Sequence, residues 1–209
     1  MVVPTAYLAP IAYYSAVLRA GEKGEGKNST GNGNREGRNG VADSMVEVEQ
    51  WESFPKQTYR NRCRIAGTNG VQMLSIPVGK CERKQYTRDV KITYQDKWQH
   101  RHWMALVSAY QHTSYFTYYE DMFRPFYEQR YEYLMDYNEA LNDVVMRLLG
   151  REQVKMTRTK DWAQEELEQY WEGAAKPYYQ IFADRQGFKN NLSIVDVLFN
   201  MGPEAILYI

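Results

Sequence analysis

Cysteine, histidine and net charge are what this chain has least of. Its 209 residues include two cysteines, Cys63 and Cys81, and three histidines. Two cysteines so placed give neither a disulfide framework nor a metal-ligand spacing. A reducing, cytoplasmic setting is therefore expected, with Cys63 a buried inert thiol rather than a nucleophile. His100 and His102 would fall on different faces of a helix, which disfavours a shared metal. Lysine plus arginine number 26 and aspartate plus glutamate 26. That zero balance argues against a nucleic-acid or anionic-membrane partner for the chain as a whole. No apolar run approaches the ~18 residues of a transmembrane helix. The N-terminal MVVPTAYLAPIAYYSAVLRAG has no positive region ahead of its apolar part and carries Pro4 and Pro10, a poor fit to a signal peptide. HExxH, GxSxG, P-loop and GxGxxG motifs are missing, and with them the hydrolase, triphosphatase and dinucleotide signatures they mark. No cofactor is expected.

What the chain does have is a globular composition, 44% hydrophobic and 25% charged, with 18 tyrosines. Tyrosine carries an apolar body and a polar tip, suited to half-buried positions and cleft walls. The length fits one domain over 1–209. TAYLAP followed by IAYYSAVLRA predicts a strand and then a helix, with Ile11, Tyr14, Val17 and Leu18 at helical spacing and Gly21 as its stop. Residues 21–43 hold seven glycines and four asparagines, which reads as a flexible insertion. MVEVEQW alternates apolar and acidic residues, as a half-buried strand does, and a parallel crossover from the first strand through the helix is plausible. KQTYRNRCRIAG and VQMLSIPV meet at Thr68-Asn69-Gly70, a hairpin signal. DVKITY (89–94) is expected to add a strand.

From Trp98 the period becomes helical. Trp103, Leu106, Val107 and Tyr110 mark one helix, Tyr118, Tyr119 and Met122 a second, and Leu134 through Leu148 a third that Gly150 ends. VKMTRT reads as a returning strand, DWAQEELEQYW as a short acidic helix, and YYQIF as a strand or extended loop. Near the C-terminus, Ser193 can N-cap a helix with Asp196 at its third position, close to a capping box. Gly202 closes that helix and Pro203 opens the next. The sum is an α/β or α+β fold: a strand–helix–strand unit with a β-hairpin, then a mainly helical second half.

Arg60, Arg62 and Arg64 alternate in KQTYRNRCRI. On an extended chain they would share one face, with Asn61, Cys63 and Ile65 on the other. Such a row, with Lys56 upstream and Lys80, Arg83, Lys84 and Arg88 beyond, suits a diphosphate or another anionic small molecule. It suits equally well a cross-strand pairing with Glu47 and Glu49. His102, beside Trp103, reads either as a cleft acid or base or as a half-exposed helix residue.

YLAPIAYYSAVLRA, FPKQTYRNRCRIAGTNGVQMLSIPV, WQHRHWMALVSAYQHTSYFTYYEDMFRPFYE and NNLSIVDVLFNMGPEAILYI together resemble the WbqC-like protein family. The resemblance covers most of the chain apart from the glycine-rich segment. It implies an association with bacterial surface polysaccharide and O-antigen biosynthesis, with transfer of glycine or another acyl group to an amino sugar as a suggested activity. The family's recurrent residues correspond here to Tyr7, Pro10, Tyr13, Lys56, Arg60, Asn61, Arg62, Asp196, Asn200, Gly202 and Pro203. On that basis Lys56, Arg60 and Arg62 would hold phosphates of a nucleotide-linked sugar, and Tyr7 and Tyr13 would flank its base or sugar. Asn61 and Asn200 would contact substrate, and His102 and Asp196 would be the catalytic pair, His102 as base. The alternative is a non-catalytic module binding an anionic metabolite or a partner protein of the same pathway.

Overall fold

A computed structural model describes residues 1–25, 46–80, 84–163 and 165–209. Most of the expected glycine-rich insertion, together with Cys81 and Arg83, lies outside the described residues. The fold is α/β. Strand β1 (Val2–Pro4) leads to helix α1 (Ile11–Glu25), which returns the chain to β2 (Val46–Glu49). β2 lies parallel to β1, with Val3 opposite Val48. A third strand, β5 (Met156–Arg158), lies parallel on the other side of β2, with Val48 opposite Arg158. The order β1-β2-β5 puts the two-valine strand in the middle. There Val46, Val48 and Glu49 are all buried.

Gly21 does not stop α1, which runs on to Glu25. Its role is close approach: a Cβ there would sit 2.8 Å from Val154 Cγ2. The expected pairing of Glu47 and Glu49 with the arginines is also overturned, because the hydrogen-bonded neighbours of β2 are β1 and β5.

The hairpin forms a separate sheet of β3 (Arg62–Gly67) and β4 (Gly70–Ser75), turned by Thr68 and Asn69 between the Gly67–Gly70 pair. Gly70 takes φ 118, which favours glycine. Cys63 and Ile65 face inward with no exposure. Arg60 is not part of this strand, so the three arginines do not form one row.

DVKITY does not become a strand. It opens as a 3-10 turn at Thr87–Asp89. Its backbone then divides between two neighbours: Gly79 N–H donates to Lys91 O at 2.9 Å, and Ile92 N–H donates to Glu132 O at 3.0 Å.

Helices α2 (Trp98–Tyr110), α3 (Phe116–Glu128) and α4 (Leu134–Leu148) form where the helical period predicts them, but α3 buries Phe116, Phe123, Phe126 and Tyr127 and leaves the expected Tyr118 exposed. The acidic helix expected in DWAQEELEQYW is only a 3-10 segment, Leu167–Trp171. YYQIF runs as extended loop into a short helix, α5 (Ala183–Gln186). Helix α6 (Ile194–Met201) is buried at every position from Ile194 to Asn200, its polar Asp196 and Asn200 included, so those two need partners inside the fold. Ser193 caps it, accepting from Val195 N–H at 3.5 Å, and donates to Leu8 O at 2.8 Å. Gly202 ends it at φ 57, and the 3-10 segment Gly202–Tyr208 follows with Pro203 in its first turn. One apolar cluster joins β1, α1, the hairpin, α2–α4 and α6. Among the described residues no helix is long and apolar enough to cross a membrane.

Candidate functional site

Parallel strands present their carboxyl ends to one side, and in open α/β sheets that side is where ligands bind. A cavity of about 200 Å³ lies there, between the strand ends and α4. Thr5 and Tyr13 wall it from the β1 side, Arg158 from β5, and Asn138, Glu139 and Asp143 from α4. These α4 positions follow from the helix period. Leu134, Tyr137 and Leu141 turn inward, and Asn138, four residues from Leu134, falls on the same side.

Asn138 is 2% exposed. Its amide donates to Thr5 Oγ1 at 3.1 Å and to the Arg60 carbonyl at 2.9 Å. A carbonyl only accepts, so the NH₂ end of the side chain is fixed. The other end, Oδ1, is buried without a hydrogen-bond partner among the described residues. A buried carbonyl oxygen left unpaired costs roughly 1–3 kcal/mol. Beside it, Arg158 forks onto Glu139 at 2.8 and 2.6 Å and reaches Asp136 at 2.5 Å. The cation in the wall is thereby neutralised. Asp143, exposed at the rim, leaves the mouth acidic. The arrangement offers acceptors and negative charge, which suit a ligand that donates: an amine or a set of hydroxyls.

The residues expected from sequence fall into three separate places. The first is a buried ionic cluster. Arg60, 1% exposed, grips Glu52 with Nε and Nη2, the latter at 2.7 Å, and reaches Glu168 at 2.8 Å. Burial raises the Glu52 carboxyl and the Arg60 guanidinium partly offsets that rise. Trp171 links this cluster to the cavity: Arg60 sits 5.7 Å over its ring, and Tyr13 stacks on it at 5.8 Å. Tyr13 itself donates to Pro4 O at 3.0 Å. Arg60 therefore has its fork occupied by protein carboxylates.

The second place is the interior behind the hairpin. Tyr7 OH lies 3.0 Å from His102 Nδ1 and 3.0 Å from Tyr127 OH. Burial pushes the His102 imidazole down to about 4, so it is neutral at pH 7 and accepts the Tyr7 proton or donates to Tyr7 according to tautomer. It is 3% exposed, and no wall of the cavity includes it. Asn61 closes the open end of the hairpin, its side-chain Nδ2 donating to Ile76 O at 2.9 Å while its main-chain carbonyl accepts from Ile76 N–H at 2.8 Å. Arg62 lies half-buried at the start of β3, and Lys56 is exposed in the preceding turn.

The third place is the C-terminal helix. Asp196 has no exposure, and its side chain does not complete the capping box. It accepts instead from Tyr110 OH at 2.8 Å, Tyr178 OH at 2.6 Å and Gln180 Nε2 at 3.1 Å. Burial raises its carboxyl to about 6 despite those donors. Asn200 donates to Asp196 O at 2.7 Å and accepts from Ile181 N–H at 3.2 Å. Among the described residues no group of three His, Cys, Asp or Glu side chains is placed to hold a metal ion.

The WbqC-like protein family matches residues 41–172 and 152–208. The chain belongs to that family. Lys56, Arg60, Asn61, Arg62, Asp196, Asn200, Gly202 and Pro203 lie within the matched residues, while Tyr7, Pro10 and Tyr13 precede them. Comparison with curated proteins and with solved structures returns no match. Of the residues expected from sequence, Tyr13 lines the cavity of this WbqC-like chain; Thr5, Asn138, Glu139, Asn142, Asp143 and Arg158 carry no motif that marks them. The available signal was Asn138, a polar residue on the apolar stripe of α4.

Proposed function

We propose that the protein acts on an amino sugar, free or nucleotide-linked, in bacterial surface-polysaccharide (O-antigen) biosynthesis in the cytoplasm, transferring a small acyl group such as glycine to its amine. Membership of the WbqC-like family is consistent with the pathway that the sequence resemblance implies. The observation that carries the substrate class is the cavity's acidic mouth, where the exposed Asp143 carboxylate stands beside Asn138 and Glu139. A sugar amine or hydroxyl donates to that carboxylate. The amine nitrogen attacks the acyl carbonyl carbon, a C–N bond forms, and the bond from that carbon to its leaving group breaks. Asp143 takes the proton released by nitrogen, a role that His102, buried behind Tyr7, is badly placed to play.

The test is mass spectrometry of nucleotide-linked amino sugars incubated with the protein and glycine supplied as a thioester or an adenylate. A gain of one glycyl residue, slowed by Asp143→Asn, is the expected result. A second reading, a binding module without turnover, draws on the cavity lining, which among the described residues contains no histidine, cysteine or serine. An amino sugar that raises thermal stability and keeps its mass under both donors would favour that reading.

A further inference from the structure

A second cleft opens just past the carboxyl ends of β2 and β5. It is larger, about 470 Å³, and its walls are Trp51, Ser53, Lys84, Tyr86, Asp161 and Trp162. Three of those six side chains are aromatic, and two stand well out of the fold: Trp162 is 62% and Tyr86 45% exposed. Isolated exposed aromatics are ordinary, but three around one cleft form a stacking platform.

Both walls are held in place. Trp51 Nε1–H donates to Thr159 O at 3.2 Å, and Gln50 Nε2 donates to the same carbonyl. Buried Glu49 accepts from Trp51 N–H at 2.6 Å and, through its other oxygen, from Ala163 N–H at 2.7 Å. The Trp162 segment is therefore tied to the end of β2. On the facing side, Phe54 N–H donates to Gln85 O at 2.9 Å and Thr87 N–H donates to Glu52 O at 3.0 Å, which fixes Tyr86. Trp51 and Tyr86 meet edge to face at 5.7 Å. The cleft is thus shaped before a ligand arrives, which keeps the ordering cost low.

Charge decides what kind of flat ligand fits. Arg88 lies over the Trp51 ring at 3.9 Å. Asp89 approaches Arg88 Nε to 3.5 Å, yet that nitrogen is buried and makes no hydrogen bond among the described residues. Lys84 is exposed in the cleft wall. Among the described residues Asp161 is the one carboxylate in the lining, and a carboxylate beside a base-stacking surface suits a ribose diol. We propose that this cleft takes a nucleoside diphosphate, with the base stacked on Trp162 and Tyr86, the ribose hydroxyls on Asp161, and the phosphates beside Lys84. The nucleotide would come from the nucleotide-linked sugar of the reading above, and the inference rests on that reading only for the covalent link between the two halves. The phosphate role expected of Arg60 and Arg62 then falls to Lys84, beyond the sheet ends.

The experiment uses tryptophan fluorescence and calorimetry on the full chain with sugar-free nucleoside diphosphates, beside Trp162→Ala and Lys84→Ala. Both positions are exposed, so the variants should fold, and circular dichroism checks that. Saturable binding is expected, weakened about tenfold or more by Trp162→Ala and losing much of its salt dependence in Lys84→Ala. No binding up to millimolar nucleotide overturns the inference, as does binding that Trp162→Ala leaves unchanged. A free pyranose that binds through Trp162 while nucleotides do not would also overturn it. Acyl transfer is not part of the readout: nucleotide binding lost in Trp162→Ala upholds the cleft even where no glycyl product forms.

Discussion

At the scale of single residues, two buried ionisable groups carry most of the consequences. Arg60 is enclosed and its guanidinium is paired in fork geometry with Glu52. Removing one partner of such a pair leaves the other charge uncompensated, which costs about 3–5 kcal/mol. Arg60→Ala should therefore lower stability by about that amount in urea denaturation, whereas Arg62→Ala should cost much less. Near-equal losses would contradict the ionic cluster. Asp196 makes a pH prediction. Its folded carboxyl titrates at about 6, above the ordinary value of 3.8. The folded state therefore holds the proton more tightly than the unfolded chain. This group's favourable contribution is full below the unfolded value and is lost as pH rises through about 6. The change is on the order of a few kcal/mol. Asp196→Asn should flatten the stability profile between about pH 4 and 6. A variant whose profile keeps the full slope would place the titration elsewhere.

At the scale of elements, the reading from sequence succeeds where one segment's own pattern settles its fate. Leu134, Tyr137, Leu141 and Val145 need only the helix period to face inward, and Thr68-Asn69-Gly70 needs only its own backbone to turn. DVKITY fails because its fate depends on others: its backbone groups are shared between Pro77–Gly79 on one side and Glu132–Leu134 on the other, neither nearby in sequence. DWAQEELEQYW fails for a similar reason, since Trp171 is taken by Tyr13 and Arg60 and Leu167 turns inward. Gly202 shows an element boundary fixed by two constraints at once. It holds φ 57, and a Cβ there would lie 2.3 Å from Tyr115 Cδ1. Gly202→Ala should cost at least about 2 kcal/mol through strain and overpacking together. A thermal midpoint equal to that of the parent chain would show that Tyr115 moves aside freely.

At the scale of the whole molecule, the candidate site joins residues that no local pattern connects. Thr5 follows β1, Asn138 and Asp143 belong to α4, and Arg158 ends β5. Only the parallel pairing of β1, β2 and β5 brings them to one end of a sheet. The arginines Arg60, Arg62 and Arg64 are conspicuous in the sequence through charge alone. The fold places Arg60 inside an ionic cluster and leaves the acceptor-lined cavity to residues with weaker signals. Asn138 joins the cavity wall to the rest of the fold: its NH₂ holds Thr5 and the Arg60 carbonyl.

The most direct measurement is calorimetric titration of an amino sugar and of its N-acetylated counterpart into the protein and into Asp143→Asn. The account predicts that the free amine binds more tightly than the acetamide and that Asp143→Asn erases most of the difference. Equal affinities for the two sugars, or a preference that survives the substitution unchanged, would contradict an amine-recognising cavity at the carboxyl ends of the sheet.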